Sequence, residues 1–229
     1  MLWNLLLRSI KKTRASGMNI VDLSHTLSAD MPVYPGTEQP QFLKGCSIEE
    51  DGFLEQKITM YSHTGTHVDA PAHLLKDAKT LGQLGIDHFC GSALLLNFES
   101  SNETTIELSS LLVHEKEIKQ ADFLLLYTGW SKYWGTDTYF SGYTTLTVEA
   151  AQWLSGLQLK GVGLDTISAD VSDTEEYPVH KKLLGKDIVI VENLTRLHLL
   201  PQTNFIFSCF PMKFEHADGS PVRAVAMYE

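Results

Sequence analysis

The stretch FLEQKITMYSHTGTHVDAPAH, residues 53–73, changes character at its middle. Its first half alternates. Leu54, Gln56, Ile58 and Met60 fall on one side and Phe53, Glu55, Lys57, Thr59 and Tyr61 on the other, the pattern of a half-buried strand over residues 53–63. Residues 63–73 hold three of the chain's nine histidines and one aspartate. In a straight strand His63 and His67 would lie about 13 Å apart, at roughly 3.3 Å per residue, too far to share one ion. A helix would bring them together, but Thr64, Gly65 and Thr66 are poor helix formers and Pro71 stops a helix that reaches it. A bend at Gly65 resolves the conflict and lets His63, His67 and Asp69 converge. Imidazole nitrogen and carboxylate oxygen suit Zn2+ or Mn2+, and three protein ligands leave positions open for water, as catalysis requires. The competing reading is a polar turn whose histidines satisfy backbone groups, and the density of HxxxHxDxxxH weighs against it.

Outward from this stretch, short apolar runs recur. Residues 20–23, SALLLNF (92–98), ADFLLLYTGW (121–130), GVGLD (161–165), DIVIVENL (187–194) and NFIFSCF (204–210) read as strands. AHLLKDAKTLGQL (72–84) reads as a helical turn or short helix, and VEAAQWLSGL (148–157) as a helix with a glycine stop. MPVYPG (31–36) is a loop, since two prolines exclude a central strand. Buried strands interleaved with helices predict an α/β domain around a mostly buried mixed sheet. GVG at 161–163 lacks the third glycine of a dinucleotide fingerprint and reads as close backbone packing. Trp130 and Trp134 read as packing residues, and Asp165 and Asp170 as turn and cap residues.

Two distant residues bear on the cluster. Glu192 ends the run IVIV, where a buried carboxylate needs a partner, either a metal or a lysine. His180 lies near the start of a helix in EYPVHKKLL and either reaches the same cavity or stands in solvent.

With 43% hydrophobic residues among 229, the chain can bury a core without disulfides or metal. A formal charge of -10 argues against nucleic-acid binding and favours a small-molecule substrate. Cys46, Cys90 and Cys209 are scattered, odd in number and free of CxxC spacing, which fits a reduced, cytoplasmic chain. No run of about 18 apolar residues predicts a membrane span. In MLWNLLLRSIKKTR the basic residues follow the apolar run, unlike a signal peptide. Trp3, Leu6, Leu7 and Ile10 instead share one face of an amphipathic helix, with Arg8, Lys11, Lys12 and Arg14 nearby. Residues 1–17 therefore form an extension suited to a membrane surface, to a neighbouring subunit or to no function at all, and Met18 could itself begin the chain.

These residues carry a resemblance. HTGTHVDAPAH resembles the HxGTHxDxPxH signature of the cyclase-like metal-dependent hydrolases, a family that includes bacterial kynurenine formamidase and isatin hydrolase. SHTLSADMPVYPG, GVGLDTISAD and YPVHKKLLGKDIVIVENLTRL resemble further family segments, so that the likeness covers roughly residues 19–229. It implies a swivelling β/β/α fold, a hydrolase domain over residues 18–229 and a homodimer or homotetramer whose subunits cooperate at the cleft. It also implies that His63, His67 and Asp69 bind one divalent ion, and that Asp69, His180 and Glu192 bind a second in binuclear members. His73 is the implied general acid/base. Tyr34 stands where kynurenine formamidases carry a pocket-lining tryptophan.

The expected reaction is hydrolysis of a small aryl amide, with N-formylkynurenine, an intermediate of tryptophan catabolism, as the leading substrate. Water would attack with help from His73 and without an acyl-enzyme, since the sequence has no GxSxG elbow. Opening of a cyclic amide or lactone and a non-catalytic metal-binding role are the alternatives.

Overall fold

The computed structural model describes residues 17–101 and 104–229. The extension expected at residues 1–17 lies outside them except for Gly17. In chain order the elements are β1 (Asn19–Asp22), β2 (Gln41–Cys46), α1 (Ile48–Asp51), β3 (Glu55–Thr59), β4 (His67–Asp69), β5 (Cys90–Asn97), β6 (Thr105–Ile106), α2 (Leu108–Leu112), α3 (Glu115–Ile118) and β7 (Phe123–Tyr127). There follow β8 (Thr145–Leu146), α4 (Val148–Leu154), β9 (Gly161–Leu164), α5 (Pro178–Leu184), β10 (Val189–Glu192), β11 (Phe205–Ser208), β12 (Gly219–Pro221) and β13 (Val225–Tyr228).

Nine strands form one curled mixed sheet in the order β1-β13-β11-β5-β7-β9-β10-β4-β12. Strands β5, β7, β9 and β10 are parallel, and antiparallel strands flank them on both sides. The parallel strands are buried on both faces, which is why they read as unbroken apolar runs; Phe123–Tyr127 is buried throughout. Along β5 and β7, Ala93, Leu95, Phe123 and Leu125 face a core inside the curl. Leu94, Leu96, Leu124 and Leu126 face a second core shared with Leu111, Ile118, Ala150, Leu154 and Leu183 of the helices. Gly161 and Gly163 serve close packing, as the sequence indicated: a Cβ there would lie 2.7 Å from Phe123 and 2.6 Å from Leu125. The α/β class and mixed sheet are those the sequence predicted. Among the described residues no helix is long and apolar enough to cross a membrane.

Two expectations fail locally. The strand read over residues 53–63 shortens to Glu55–Thr59, and all five of its residues are exposed. It pairs only with β2, in a two-stranded ribbon apart from the main sheet. With no layer beneath it among the described residues, its alternating pattern has no core to face, and Leu54 is 68% exposed. The helical reading of 72–84 reduces to 3₁₀ turns at Pro71–His73 and Leu81–Gln83.

Gly65 makes the expected bend, with φ +66°. A Cβ on it would collide with Leu27 Cδ2. Gly65→Ala should lower stability by about 1–2 kcal/mol for the left-handed backbone alone, and more for the contact. Gly52, with φ +81° and open space around it, supplies the control. Urea unfolding should show a larger loss for Gly65→Ala than for Gly52→Ala; equal losses would mean that Leu27 yields freely.

Candidate metal centre

Strand β4 sits between β10 and β12, and its register sets the site. His67 lies opposite Glu192 and Asp69 opposite Ile190. Residues paired across a ladder share a face, and so do residues two apart on a strand, so His67, Asp69 and Glu192 project together. The Gly65 bend returns His63 to them: its Nδ1 lies 2.6 Å from Asp69 Oδ1. The bend is held by its own carbonyl, which accepts from His67 Nδ1 (2.8 Å) and Asn193 Nδ2 (2.9 Å). His180, third residue of α5, enters from the helical side.

The ring tautomers follow from the outer partners. His67 Nδ1 faces a carbonyl, so it carries the hydrogen, and the neutral ring presents its Nε2 lone pair inward. His180 Nδ1 faces Asp170 Oδ2 at 2.7 Å, so it too carries a hydrogen and the ring turns its Nε2 inward. His67 Nε2 then lies 3.2 Å from Asp69 Oδ1 and 3.6 Å from Glu192 Oε2. His180 Nε2 lies 3.1 Å from Glu192 Oε1 and 3.6 Å from Asp69 Oδ2. Two ligand atoms each about 2.1 Å from one tetrahedral ion stand about 3.4 Å apart, and these contacts bracket that spacing. Asp69 is buried, yet its Oδ2 has no hydrogen-bond partner. A buried carboxylate oxygen left without a hydrogen bond beside inward-turned imidazole nitrogens fits a divalent cation.

Asp69 belongs to two groups with ligand spacing, His63–His67–Asp69 and Asp69–His180–Glu192. All five residues assigned from the sequence as ligands therefore converge; among the described residues no lysine pairs with Glu192, and His180 is buried. A third group, His63–His73–Asp218, includes a residue the sequence reading missed. Asp218 precedes β12, and its Oδ2 lies 3.1 Å from His63 Nε2 and 3.9 Å from His73 Nδ1. In ADGSP it reads as an ordinary turn aspartate, so only the pairing of β12 with β4 reveals it.

Burial opposes charge on His63, but Asp69 and Asp218 outweigh it and raise the ring to about 9. The pocket thus favours positive charge at this point. His180 is raised well above the usual range: burial opposes this, and Asp170, Asp69 and Glu192 overcome it. Asp69, despite burial, is held well below the carboxylate range by its histidines. His73, whose ring centroid is 3.9 Å from that of His63, goes the other way. Burial and the neighbouring His63 and His180 lower it to about 4, against the pull of Asp69 and Asp218.

These side chains line a cavity of about 490 Å³ whose wall includes Tyr34 and Tyr177. Burial and the Tyr177 hydroxyl hold the Tyr34 phenol above its ordinary range. Trp130 and Trp134 pack behind the cavity with Tyr139 and Tyr143, as expected of packing residues. Asp165 accepts from the backbone N–H and hydroxyl of Thr128. Asp170 does cap α5, accepting from the Val179 and His180 amides, but it also fixes the His180 ring. Asp170→Asn should weaken ion binding about 10–100-fold, measured by competition with a chelator. Unchanged affinity would make Asp170 a helix cap alone.

The fold and this donor set define a class, the α/β domains that build on a mixed sheet a His- and carboxylate-lined pocket compatible with a metal ion. The pattern of the family described as putative cyclase matches residues 21–171, and the chain belongs to that family. It is 29% identical over 206 residues to a kynurenine formamidase of Bacillus cytotoxicus, covering 90% of this chain and 95% of the relative. A kynurenine formamidase of Bordetella avium is 31% identical over 211 residues, covering 89% and 95%. Among solved structures, isatin hydrolase A from Labrenzia aggregata bound to benzyl benzoate superposes with TM-score 0.86 at 25% identity, covering 100% of this chain and 99% of its own. A potential metal-dependent hydrolase with cyclase activity gives TM-score 0.76 at 26% identity, covering 93% and 99%.

Proposed function

We propose that this protein is a metal-dependent amidohydrolase that cleaves a small aryl amide, with N-formylkynurenine converted to kynurenine and formate. The observation that carries the reading is the unpartnered Oδ2 of buried Asp69 among the inward nitrogens of His67 and His180. His63, His67 and Asp69 would hold one divalent ion, and Asp69, His180 and Glu192 a second. Bound there, Zn2+ or Mn2+ would polarise the amide carbonyl and acidify water.

The protein's own part is proton handling and placement. His73, neutral near pH 7, accepts a proton as water adds to the carbonyl carbon. It returns that proton to the departing aryl amine nitrogen, so the acid leaves as formate and no side chain is acylated. Asp218, 3.1 Å from His63 Nε2 and 3.9 Å from His73 Nδ1, places negative charge beside both rings. Tyr34 supplies an aromatic wall whose hydroxyl needs a polar partner. Exposed apolar residues on the β2–β3 ribbon, among them Leu43 (51%) and Ile58 (50%), support a homodimer or homotetramer, because an isolated two-stranded ribbon is marginal in water.

A second reading, opening of a cyclic amide or lactone, draws on the full-length superposition with isatin hydrolase A. The two are separated by one panel assay on metal-loaded protein. Formate release from N-formylkynurenine that disappears with chelator supports the first. Ring opening of isatin without formate release supports the second. Inertness towards both, with ion bound, would mark a non-catalytic binding protein.

A further inference from the structure

Two phenols meet in the wall of the cavity. Tyr34 stands in the loop between β1 and β2, and Tyr177 immediately precedes Pro178, the first residue of α5. Both line the cavity of about 490 Å³ together with His180 and Glu192, and their hydroxyls are hydrogen-bonded to each other. The Tyr177 ring stands edge-on to that of His180, with 6.0 Å between centroids. Its backbone is left-handed, at φ 47° and ψ 53°, and its side chain makes no capping bond to the helix. A bulky residue rarely adopts that conformation, and such strain persists where its surroundings hold it, most often at binding and catalytic sites. The strained residue therefore serves the cavity rather than the helix end.

Each phenol carries one hydrogen and two lone pairs. Two hydroxyls bonded to each other use one hydrogen and leave one. Burial and this bond hold the Tyr34 phenol above its ordinary range, as expected of the partner that keeps its hydrogen and donates it. The Tyr177 O–H is then the donor left for a ligand. We propose that Tyr177 sets substrate specificity: its O–H binds a carbonyl oxygen carried on the aryl ring next to the scissile amide. The inference rests on the amide reading of the site. Because the Tyr177 ring packs against His180, a residue placed to hold the ion, its hydroxyl meets the substituent beside the reacting group sooner than one across the ring. N-formylkynurenine carries a ketone at that position; a plain aryl formamide does not.

The test uses zinc-loaded protein and two amines that cannot be hydrolysed, 2-aminoacetophenone and its apolar isostere 2-isopropylaniline, with dissociation constants measured by titration calorimetry. The wild type should favour the ketone by about 3–10-fold, the worth of one neutral hydrogen bond. Tyr177→Phe, which keeps the ring against His180, should bring the ratio near unity, and Tyr34→Phe, which keeps the donor, should retain most of it. Disturbed packing would weaken both amines together and leave the ratio where it was, so a merely structural role cannot mimic the result. A wild-type ratio near unity, no measurable binding of the ketone, or a ratio that survives Tyr177→Phe overturns the proposal. Formate release from N-formylkynurenine is followed on the same samples. Release with a ratio indifferent to Tyr177 leaves the amide reading standing and removes this inference. A ratio that depends on Tyr177 without release supports the ketone contact and removes the amide reading instead.

Discussion

Asp69→Asn is expected to leave a folded protein that no longer retains a divalent ion. Asp69 is 1% exposed and is shared by both ligand groups. Its Oδ1 contacts His63 and His67, and its Oδ2 faces His180. The amide keeps the volume but removes the charge and turns one oxygen into a donor facing ring nitrogens. Ion content after dialysis should fall from the wild-type stoichiometry to near zero. Turnover should fall by about 10³-fold or more, the equivalent of about 4 kcal/mol of lost transition-state stabilisation. Added ion should raise the thermal midpoint of the wild type but not of the variant, because a ligand stabilises only a state that binds it. A variant that binds ion with wild-type affinity would remove Asp69 from the centre.

His73→Ala is expected to separate chemistry from binding. The ring is neutral near pH 7, since burial and the adjacent His63 and His180 lower it to about 4. It can therefore accept a proton across the working range, and activity is lost only as acid protonates it. Removing it should cost about 10²–10⁴-fold in kcat while ion content stays near that of the wild type. The acid limb of the pH–rate profile should lose its dependence on this group. Full activity would exclude His73 from proton transfer. Joint loss of ion and activity would make it a ligand with His63 and Asp218, a grouping whose spacing the structure also allows.

Much of the centre was legible because its residues carry local signals. The crowding of His63, His67, Asp69 and His73 into eleven positions, and a carboxylate ending the run IVIV, each demand an explanation that a turn or a free surface does not give. The central strands were legible for a related reason: burial on both faces leaves runs such as FLLLY unbroken. Asp218 was hidden because its role comes from strand pairing. A residue 155 positions from His63 becomes its neighbour only when β12 docks on β4. The Asp170 carboxylate was recognised as a cap, but its second bond to the His180 ring depends on how α5 meets the β9 end. The β2–β3 ribbon misled because alternation measures amphipathicity, not burial, and a pattern with no covering layer in this chain reads the same as one that has it.

The Gly65 carbonyl, gripped by two donors, has a consequence for how such a pocket changes over evolutionary time. His67, Asp69 and Glu192 stand on mutually paired strands behind that clamp. Tyr34 stands instead in the unpaired loop between β1 and β2. Substitutions in the loop can therefore reshape what enters without moving the ligand atoms. Drift in substrate preference and retention of the reacting centre are mechanically uncoupled, so new specificities can arise by loop replacement alone.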